Sequence, residues 1–208
     1  MVKTHSFSEV NVVLSEGLLM GADGKVRCSW AGTDPLYCAY HDNEWGKPVF
    51  DDRCLFEKIC LESFQAGLSW LTILKKISSF RNAFDHFDFE KITHYDKVKV
   101  KILMQNKDIV RHKGKILSVI NNAVKATEIV AEWGSLSHYF WSFQPPQSER
   151  HEKVNFQILR DNPMTPSSVR LATDLKKRGW IFVGPITCYA FMQAIGIVND
   201  HIEGCFCR

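Results

Sequence analysis

Residues 175–196, LKKRGWIFVGPITCYAFMQAIG, read as two helices joined by a short turn. Gly179 is typical of the position just past a helix C-terminus, and Pro185 is typical of the first turn of a new helix. Such a pair can present backbone N–H groups and the positive end of the second helix, at Gly184, to a phosphate. Basic residues stand beside the turn, namely Lys176, Lys177 and Arg178. The alternative is that they are a solvated helix end, where cations are favoured by the helix dipole.

The chain from residue 27 onward carries further helix signals and almost no strand-like alternation. Asp34 precedes Pro35, Ser69 precedes an apolar stripe over residues 70–84, and Asp96 is a third candidate cap. A proline-rich stretch, residues 144–166, predicts a long loop. The fold class predicted is all-α, with one domain spanning residues 27–208.

Residues 1–26 are predicted to be an N-terminal extension of unknown role. The segment VNVVL, followed by LLMGADGKVR, predicts a short hairpin around Asp23-Gly24, a favourable turn pair. The acidic residues Glu9 and Glu16 argue against a secretion signal in this region.

The composition is that of an ordinary globular protein. The 208 residues include 45% hydrophobic and 24% charged residues, and a net charge of +3 does not by itself indicate a nucleic-acid binder. No apolar run is long enough to cross a membrane. Seven cysteines, without the dense spacing of a disulfide framework, favour reduced thiols and metal binding over disulfides. We therefore expect a cytoplasmic protein.

The C-terminal segment NDHIEGCFCR contains possible metal ligands. His201 and Cys205 are four residues apart and share a face on a helical turn, but a closed zinc site needs two more ligands. Cys28 and His41, around the start of the first core helix, are the candidates. The alternative is a buried Cys28, a surface His41 and a frayed tail, and Cys207 competes with Cys205 for the ligand role.

Glu62 falls on the apolar stripe of its predicted helix. A carboxylate in such a position must be paired, hydrogen-bonded or functional, because burying it alone is costly. Aromatic residues precede and follow it, namely Tyr37, Tyr40, Trp45 and Trp70. An acid among electron-rich rings indicates a pocket for a flat or cationic ring. The alternative is that the rings are ordinary core and Glu62 forms a salt bridge.

Further basic groups occur at RHKGK, residues 111–115, and at Lys75-Lys76. Together with the cations beside the turn at residues 179–184, these groups predict a track for a DNA backbone. The alternative is that each group is a solvated helix end.

Four separated blocks, RCSW, DPLYCAYHDNEWG, LFEKICLESFQAGLSWLTILKK and FVGPITCYAFMQAIGIVNDHIEGC, resemble the DNA-3-methyladenine glycosylase I family, the Tag family of bacterial base-excision repair. The resemblance runs from about Arg27 to Cys205. It implies an all-α helix-hairpin-helix glycosylase that flips out 3-methyladenine and removes it by hydrolysis. The expected partners are double-stranded DNA containing alkylated bases and free 3-methyladenine as product, and we expect a monomer.

The resemblance also assigns site residues. The family's structural zinc falls on Cys28, His41, His201 and Cys205, which would clasp the two ends of the core together. Its base pocket falls on the catalytic pair Glu62 and Tyr40 and on the binding residues Trp70, Tyr37, Trp30 and Trp45. The turn expected to fill the gap left by the flipped nucleotide falls on Ala66, Gly67 and Leu68. DNA contacts are expected from Lys75, Lys76, Lys177, Arg178 and Gly184. Phe64 and Ile186 depart from the family pattern.

These assignments predict that Tyr40 and Trp70 sandwich the cationic base while Glu62 accepts its hydrogen bonds. Asp200 adjoins His201, and we expect a supporting or capping role for it rather than a catalytic one. Two other function classes fit parts of the sequence. One is a non-catalytic, zinc-stabilised DNA-binding module, and the other is a small-molecule protein that binds a cationic heterocycle.

Overall fold

The computed structural model describes residues 14–208 and is built mainly from α-helices. These helices are α1 Pro35–Asn43, α2 Asp52–Gln65, α3 Trp70–Leu74, α4 Ile77–Ala83, α5 Phe89–Ile92, α6 Lys97–Gln105, α7 Lys113–Trp133, α8 Leu136–Trp141, α9 Phe156–Asp161, α10 Pro166–Lys177 and α11 Pro185–Ala194. The predicted predominance of helix is confirmed.

A single antiparallel hairpin precedes the helices in the described part of the chain. Strand β1, Leu18–Met20, pairs with strand β2, Val26–Cys28, so that Leu18 lies opposite Cys28. The turn falls at the predicted Asp23-Gly24, but the first strand is LLM; of VNVVL, residues 10–13 lie outside the described residues. The backbone N–H of Phe206 donates to the carbonyl of Val26 at 2.9 Å, so the C-terminal tail lies beside the hairpin.

Side-chain caps start the helices where local sequence rules predict them. Asp34 accepts from the backbone N–H groups of Leu36 and Tyr37, and Pro35 occupies the first turn. Ser69 and Asp96 cap α3 and α6 in the same way. Each cap satisfies N–H groups that have no partner within the helix.

Helix α2 lies at the centre of the molecule and contacts α3, α7, α8 and α11. Its apolar stripe packs into a core rich in phenylalanine, where the Phe64 ring lies 4.5 Å from that of Phe80 and the Phe56 ring 6.2 Å from that of Trp180. Because α2 is held on several sides, its polar side chains are fixed in direction. This central position sets the geometry of the site below.

Helices α10 and α11 pack against each other and are joined by a turn over residues 178–184, as predicted. Asn122 on α7 holds the turn with two hydrogen bonds of 3.0 Å, one to the N–H and one to the carbonyl of Ile181. The hydroxyl of Ser63 donates to the carbonyl of Phe182 at 2.9 Å. Phe182 adopts a left-handed backbone, φ 59°, which is unusual for a bulky residue and depends on such restraints.

Lys115 lies inside the molecule and not on the predicted DNA track. Its side chain is buried, and its ammonium donates to the carbonyl oxygens of Phe64 at 2.9 Å and Ala66 at 2.6 Å. Those carbonyls belong to the end of α2, where helices leave acceptors unpaired. The prediction for Lys115 was therefore wrong, since a tertiary contact uses its charge to terminate a helix.

Candidate functional site

A cavity of about 240 Å³ opens beside the C-terminal end of α2. It is lined by Trp30, Tyr37, Tyr40, Trp45, Glu62, Gln65, Trp70, Leu159, Ala190 and Gln193. The structure therefore brings together all six residues predicted from sequence for a base pocket. The walls come from α1 and the segments on either side of it, from α2, from the first residue of α3, and from α9 and α11. The arrangement is a mostly aromatic concavity with a few polar groups, which is typical of a small-molecule or base site.

The rings of Tyr40 and Trp70 form one wall of this cavity. Their centroids lie 5.3 Å apart at an interplanar angle of 43°. A ring sandwiched between them would need a separation of about 7 Å, twice the usual carbon–carbon contact distance. In this arrangement the two rings touch each other and offer a shared surface, and the predicted sandwich would require them to separate.

Trp30 continues the aromatic lining. Its ring lies 5.3 Å from that of Tyr37 and 4.9 Å from that of Trp45, the latter edge to face. Edge-to-face contacts lock large rings in place.

The indole N–H of Trp70 is buried and has no hydrogen-bond partner within residues 14–208. An unpaired buried donor is costly, so this N–H is a group that a hydrogen-bond acceptor would stabilise.

Glu62 lines the cavity, is only 6% exposed and, among the residues that the structure describes, forms no hydrogen bond or ion pair. The described residues therefore do not form the salt bridge with Glu62 that was the alternative interpretation of the sequence. Burial raises the pKa of this carboxyl group to about 8, and the charge of Lys58 only partly opposes that rise. A carboxyl with such surroundings gains most from a cationic or hydrogen-bond-donating ligand.

Four potential metal ligands converge behind the aromatic wall. Cys28, His41, His201 and Cys205 are all buried, and their ligand atoms lie within 4.8 Å of one another. The Sγ of Cys205 lies 3.5 Å from His41 Nε2 and 3.6 Å from His201 Nδ1, and Cys28 Sγ lies 3.8 Å from His201 Nδ1. In a tetrahedral zinc site, sulfur and nitrogen ligands are about 3.6 Å apart. The donor set and the spacing therefore fit Zn²⁺.

Neighbouring groups orient the cluster. The Nδ1 of His41 lies 2.8 Å from Asp42, which leaves Nε2 to face the cysteines, and Asp42 is held in turn by Arg27. Such carboxylate support is characteristic of metal-bound histidine. The thiol of Cys207 contacts the carbonyl of Asp42 at 3.9 Å and lies outside the four-residue cluster. His201 also packs edge to face on Trp45, 4.7 Å away, so the cluster supports the cavity wall.

The turn Ala66-Gly67-Leu68 is exposed between α2 and α3. Leu68 is an exposed apolar side chain, and its N–H donates to the carbonyl of Gln65 at 2.7 Å. Gly67 has φ 81°, a left-handed conformation that favours glycine. The turn is therefore an exposed apolar projection between two elements that line the cavity, and Lys115 anchors it through the carbonyl of Ala66.

The basic residues predicted to contact DNA have different surroundings. Lys75 pairs with Asp34 at 3.1 Å, and Lys76 donates to the carbonyl of Asp108 at 3.1 Å. Arg178 forms ion pairs with Glu132 and Asp174, at 2.5 and 2.6 Å. Lys177 is exposed, and Gly184 stands at the N-cap of α11, where none of the described side chains caps the helix. Phosphate contact would therefore compete with the ion pairs of Arg178, whereas Lys75 has one carboxylate partner and a side chain that is more than half exposed.

Sequence reasoning missed four residues of the cavity: Gln65, Leu159, Ala190 and Gln193. Ala190 and Gln193 are three apart on α11 and share a face. The available signal was Gln193, a polar residue in an otherwise apolar helix. Leu159 comes from α9, in the region predicted to be a loop, and no local pattern links it to the site.

Comparison with known proteins gives the family. The model of the family described as methyladenine glycosylase matches residues 30–208. The chain belongs to this family. A DNA-3-methyladenine glycosylase of Haemophilus influenzae is 45% identical over 186 residues, which covers 88% of this chain and 97% of the relative.

Solved structures agree with this assignment. A crystal structure of 3-methyladenine DNA glycosylase I has a TM-score of 0.82 and 48% identity, over 88% of this chain and 99% of that one. A second, from Staphylococcus aureus and described as the structural basis of 3-methyladenine recognition, has a TM-score of 0.80 and 34% identity, over 87% and 95% of the two chains. In residues 14–208, none of the helices combines the length and the apolarity needed to cross a bilayer.

Proposed function

We infer that this methyladenine glycosylase removes 3-methyladenine from alkylated DNA in base-excision repair. The observation that carries the proposal is Glu62, a buried carboxyl group without a partner in residues 14–208, in a cavity lined by five aromatic residues. The H. influenzae relative is named for this activity, and the S. aureus structure for recognition of this base.

The chemistry explains why one carboxyl group and several rings suffice. Methylation at N3 makes the adenine a cationic leaving group. When the C1′–N9 bond breaks, its electron pair leaves with the base and cancels that charge. Water adds to C1′ and loses a proton to solvent. The protein's main tasks are to extract the base from the helix and hold it, which base-flipping enzymes do with a shaped pocket.

The cavity favours a cationic base in two ways. The faces of Tyr40 and Trp70 attract a cationic ring by about 1–2 kcal/mol in a dry site. Glu62, once ionised against that cation, accepts hydrogen bonds from the edge of the base. Trp30, Tyr37 and Trp45 complete the wall and hold these groups in place.

DNA binding is assigned to the surface around the cavity mouth. Ala66, Gly67 and Leu68 fill the gap left by the flipped nucleotide. Helices α10 and α11 act as a helix-hairpin-helix element, with the N-terminus of α11 at Gly184 facing a phosphate. Lys75, Lys76, Lys177 and Arg178 supply positive charge along the backbone.

One structural zinc ion is assigned to Cys28, His41, His201 and Cys205. When bound, the zinc supplies a cross-link between the hairpin, α1 and the tail, and takes no part in the reaction. Residues 27–208 form the proposed glycosylase domain, with residues 18–26 docked to it through the hairpin, and the active form is a monomer.

The direct test is base release. DNA treated with a methylating agent is incubated with the protein, and the released bases are separated by chromatography. Release of 3-methyladenine is expected. DNA binding without any released base would favour the non-catalytic DNA-binding module instead.

A further inference from the structure

Gln193 on α11 connects the cavity to a buried carboxylate behind it. It lines the cavity, and its Nε2 donates to Asp200 Oδ2 at 2.9 Å. Asp200 is only 6% exposed. The same oxygen of Asp200 accepts a hydrogen bond of 2.6 Å from the hydroxyl of Tyr189. Asp200 therefore holds a residue that lines the cavity, a role that its position next to His201 in the sequence did not indicate.

This hydrogen bond fixes the orientation of the Gln193 amide. A carboxylate only accepts hydrogen bonds, so the NH₂ end of the amide must face Asp200 and the oxygen must face away from it. Within residues 14–208, no donor is hydrogen-bonded to Gln193 Oε1. The cavity therefore contains a fixed, neutral acceptor in addition to the carboxyl group of Glu62.

We propose that Gln193 is a specificity-determining residue, whose oxygen accepts an N–H of the exocyclic amino group of adenine, and that Asp200 is the residue that positions it. The proposal rests on the proposed function. At the corresponding place guanine carries a carbonyl oxygen, and two facing acceptors repel each other and leave both groups unpaired. An acceptor held in one orientation discriminates between these bases, whereas a freely rotating amide would pair with either.

Glu62 and Gln193, two of the polar residues that line the cavity, then contribute differently to recognition. The Glu62 carboxylate is attracted to the positive charge, which N3-methylated adenine and N3-methylated guanine share. Gln193 carries no charge and distinguishes the two bases by their edges. Loss of Glu62 should therefore weaken removal of both bases, and loss of Gln193 should mainly weaken removal of 3-methyladenine.

The experiment measures the ratio of released 3-methyladenine to released 3-methylguanine. Methylated DNA is treated with wild type, Gln193→Met, Asp200→Asn or Tyr189→Phe, and released 3-methyladenine and 3-methylguanine are quantified by chromatography. Gln193→Met keeps a similar side-chain volume but removes the acceptor, and we expect the ratio of 3-methyladenine to 3-methylguanine to fall by about tenfold, the effect of one buried hydrogen bond.

Asp200→Asn tests the positioning role. An asparagine can accept as well as donate, so the Gln193 amide is free to turn over, and the ratio should fall toward that of Gln193→Met. Tyr189→Phe is the control, because it removes the other donor to the same oxygen of Asp200 and the contact of the Tyr189 hydroxyl with Gln193, while the hydrogen bond from Gln193 to Asp200 remains. Its ratio should stay at the wild-type value even if its melting temperature falls.

The outcomes separate the two proposals. A wild-type protein that releases no 3-methyladenine overturns the proposed function and this inference together. If the wild type is active and the ratio is unchanged in Gln193→Met, the inference about Gln193 is overturned and the proposed function stands. If Asp200→Asn does not fold, Gln193→Met alone decides whether the inference holds. An equal loss of ratio in Tyr189→Phe and Asp200→Asn would refute the positioning role of Asp200.

Discussion

Glu57 and Glu62 lie about one and a half turns apart on α2, both buried, and within residues 14–208 only Glu57 has a cationic partner. The carboxylate of Glu57 receives two hydrogen bonds from Arg81, at 2.7 and 2.8 Å, whereas Glu62 faces the cavity. The paired carboxylate stabilises the fold. The unpaired one stays in an apolar setting that disfavours its charge, and a cationic ligand relieves that cost.

The first prediction concerns stability and pH. Because the pKa of Glu62 is raised to about 8, the folded protein holds a proton between pH 4.5 and 8 that the unfolded chain has released. The free energy of unfolding should therefore fall as pH rises through this range, by up to about 5 kcal/mol. Glu62→Gln has no carboxyl group to titrate at this position. Its free energy of unfolding should therefore exceed that of wild type by an amount that grows toward pH 8. Urea unfolding of both proteins at several pH values measures the difference, and a difference independent of pH would contradict the burial of an unpaired carboxyl.

A second prediction tests the aromatic wall. Trp70→Ala removes half of the shared surface with Tyr40 and should weaken binding of free 3-methyladenine by about tenfold, followed by fluorescence titration. Trp70→Phe is the control, since it keeps an aromatic face and removes the indole N–H that has no partner in residues 14–208. It should bind more tightly than the alanine variant. Equal affinity of both variants and wild type would exclude stacking on this wall.

Lys115 provides a third prediction. Lys115→Met keeps the apolar stem but leaves the carbonyls of Phe64 and Ala66 without their donor, which should release the turn at residues 66–68. Excision from DNA should fall several-fold while binding of the free base is retained. Lys113→Met is the matched control, because it removes the same charge from an exposed position two residues away. If the excision rate falls equally in Lys115→Met and Lys113→Met, Lys115 acts only through its charge.

A fourth prediction concerns the metal. Elemental analysis should find about one zinc per chain, and Cys205→Ala should lose it and lower the melting temperature. Cys207→Ala should keep the metal and the melting temperature, because Cys207 lies outside the four-residue cluster. Loss of zinc in Cys207→Ala would mean that the ligand assignment is wrong.

Local rules predicted much of this structure. The caps at Asp34, Ser69 and Asp96 and the helix pair around residues 175–196 depend on near neighbours in sequence, so the sequence alone identifies them. The odd position of Glu62 on an apolar stripe indicated the cavity. The family resemblance supplied the grouping of the metal ligands, which spacing alone left open.

Contacts between distant segments were not predictable in the same way. The apolar stripe over residues 70–84 is broken at Lys76, whose backbone leaves the helical region. As a result, Leu74 packs with Tyr40 and Trp45 beside the cavity, whereas Phe80 packs in the main core. Lys115 reads as a surface cation, and only the carbonyls at the end of α2, some 50 residues earlier, draw it inside. Gln193 belongs to the cavity because α11 packs against α2.

The central claim is that the unpaired carboxyl of Glu62 selects a cationic base. The most direct measurement is the rate of 3-methyladenine release from methylated DNA by Glu62→Gln, compared with wild type and with Glu57→Gln. The account predicts a loss of at least about tenfold in Glu62→Gln with folding intact, since a charge-assisted contact is removed. It predicts that Glu57→Gln loses stability but keeps its rate when folded. Wild-type release by Glu62→Gln would contradict the account.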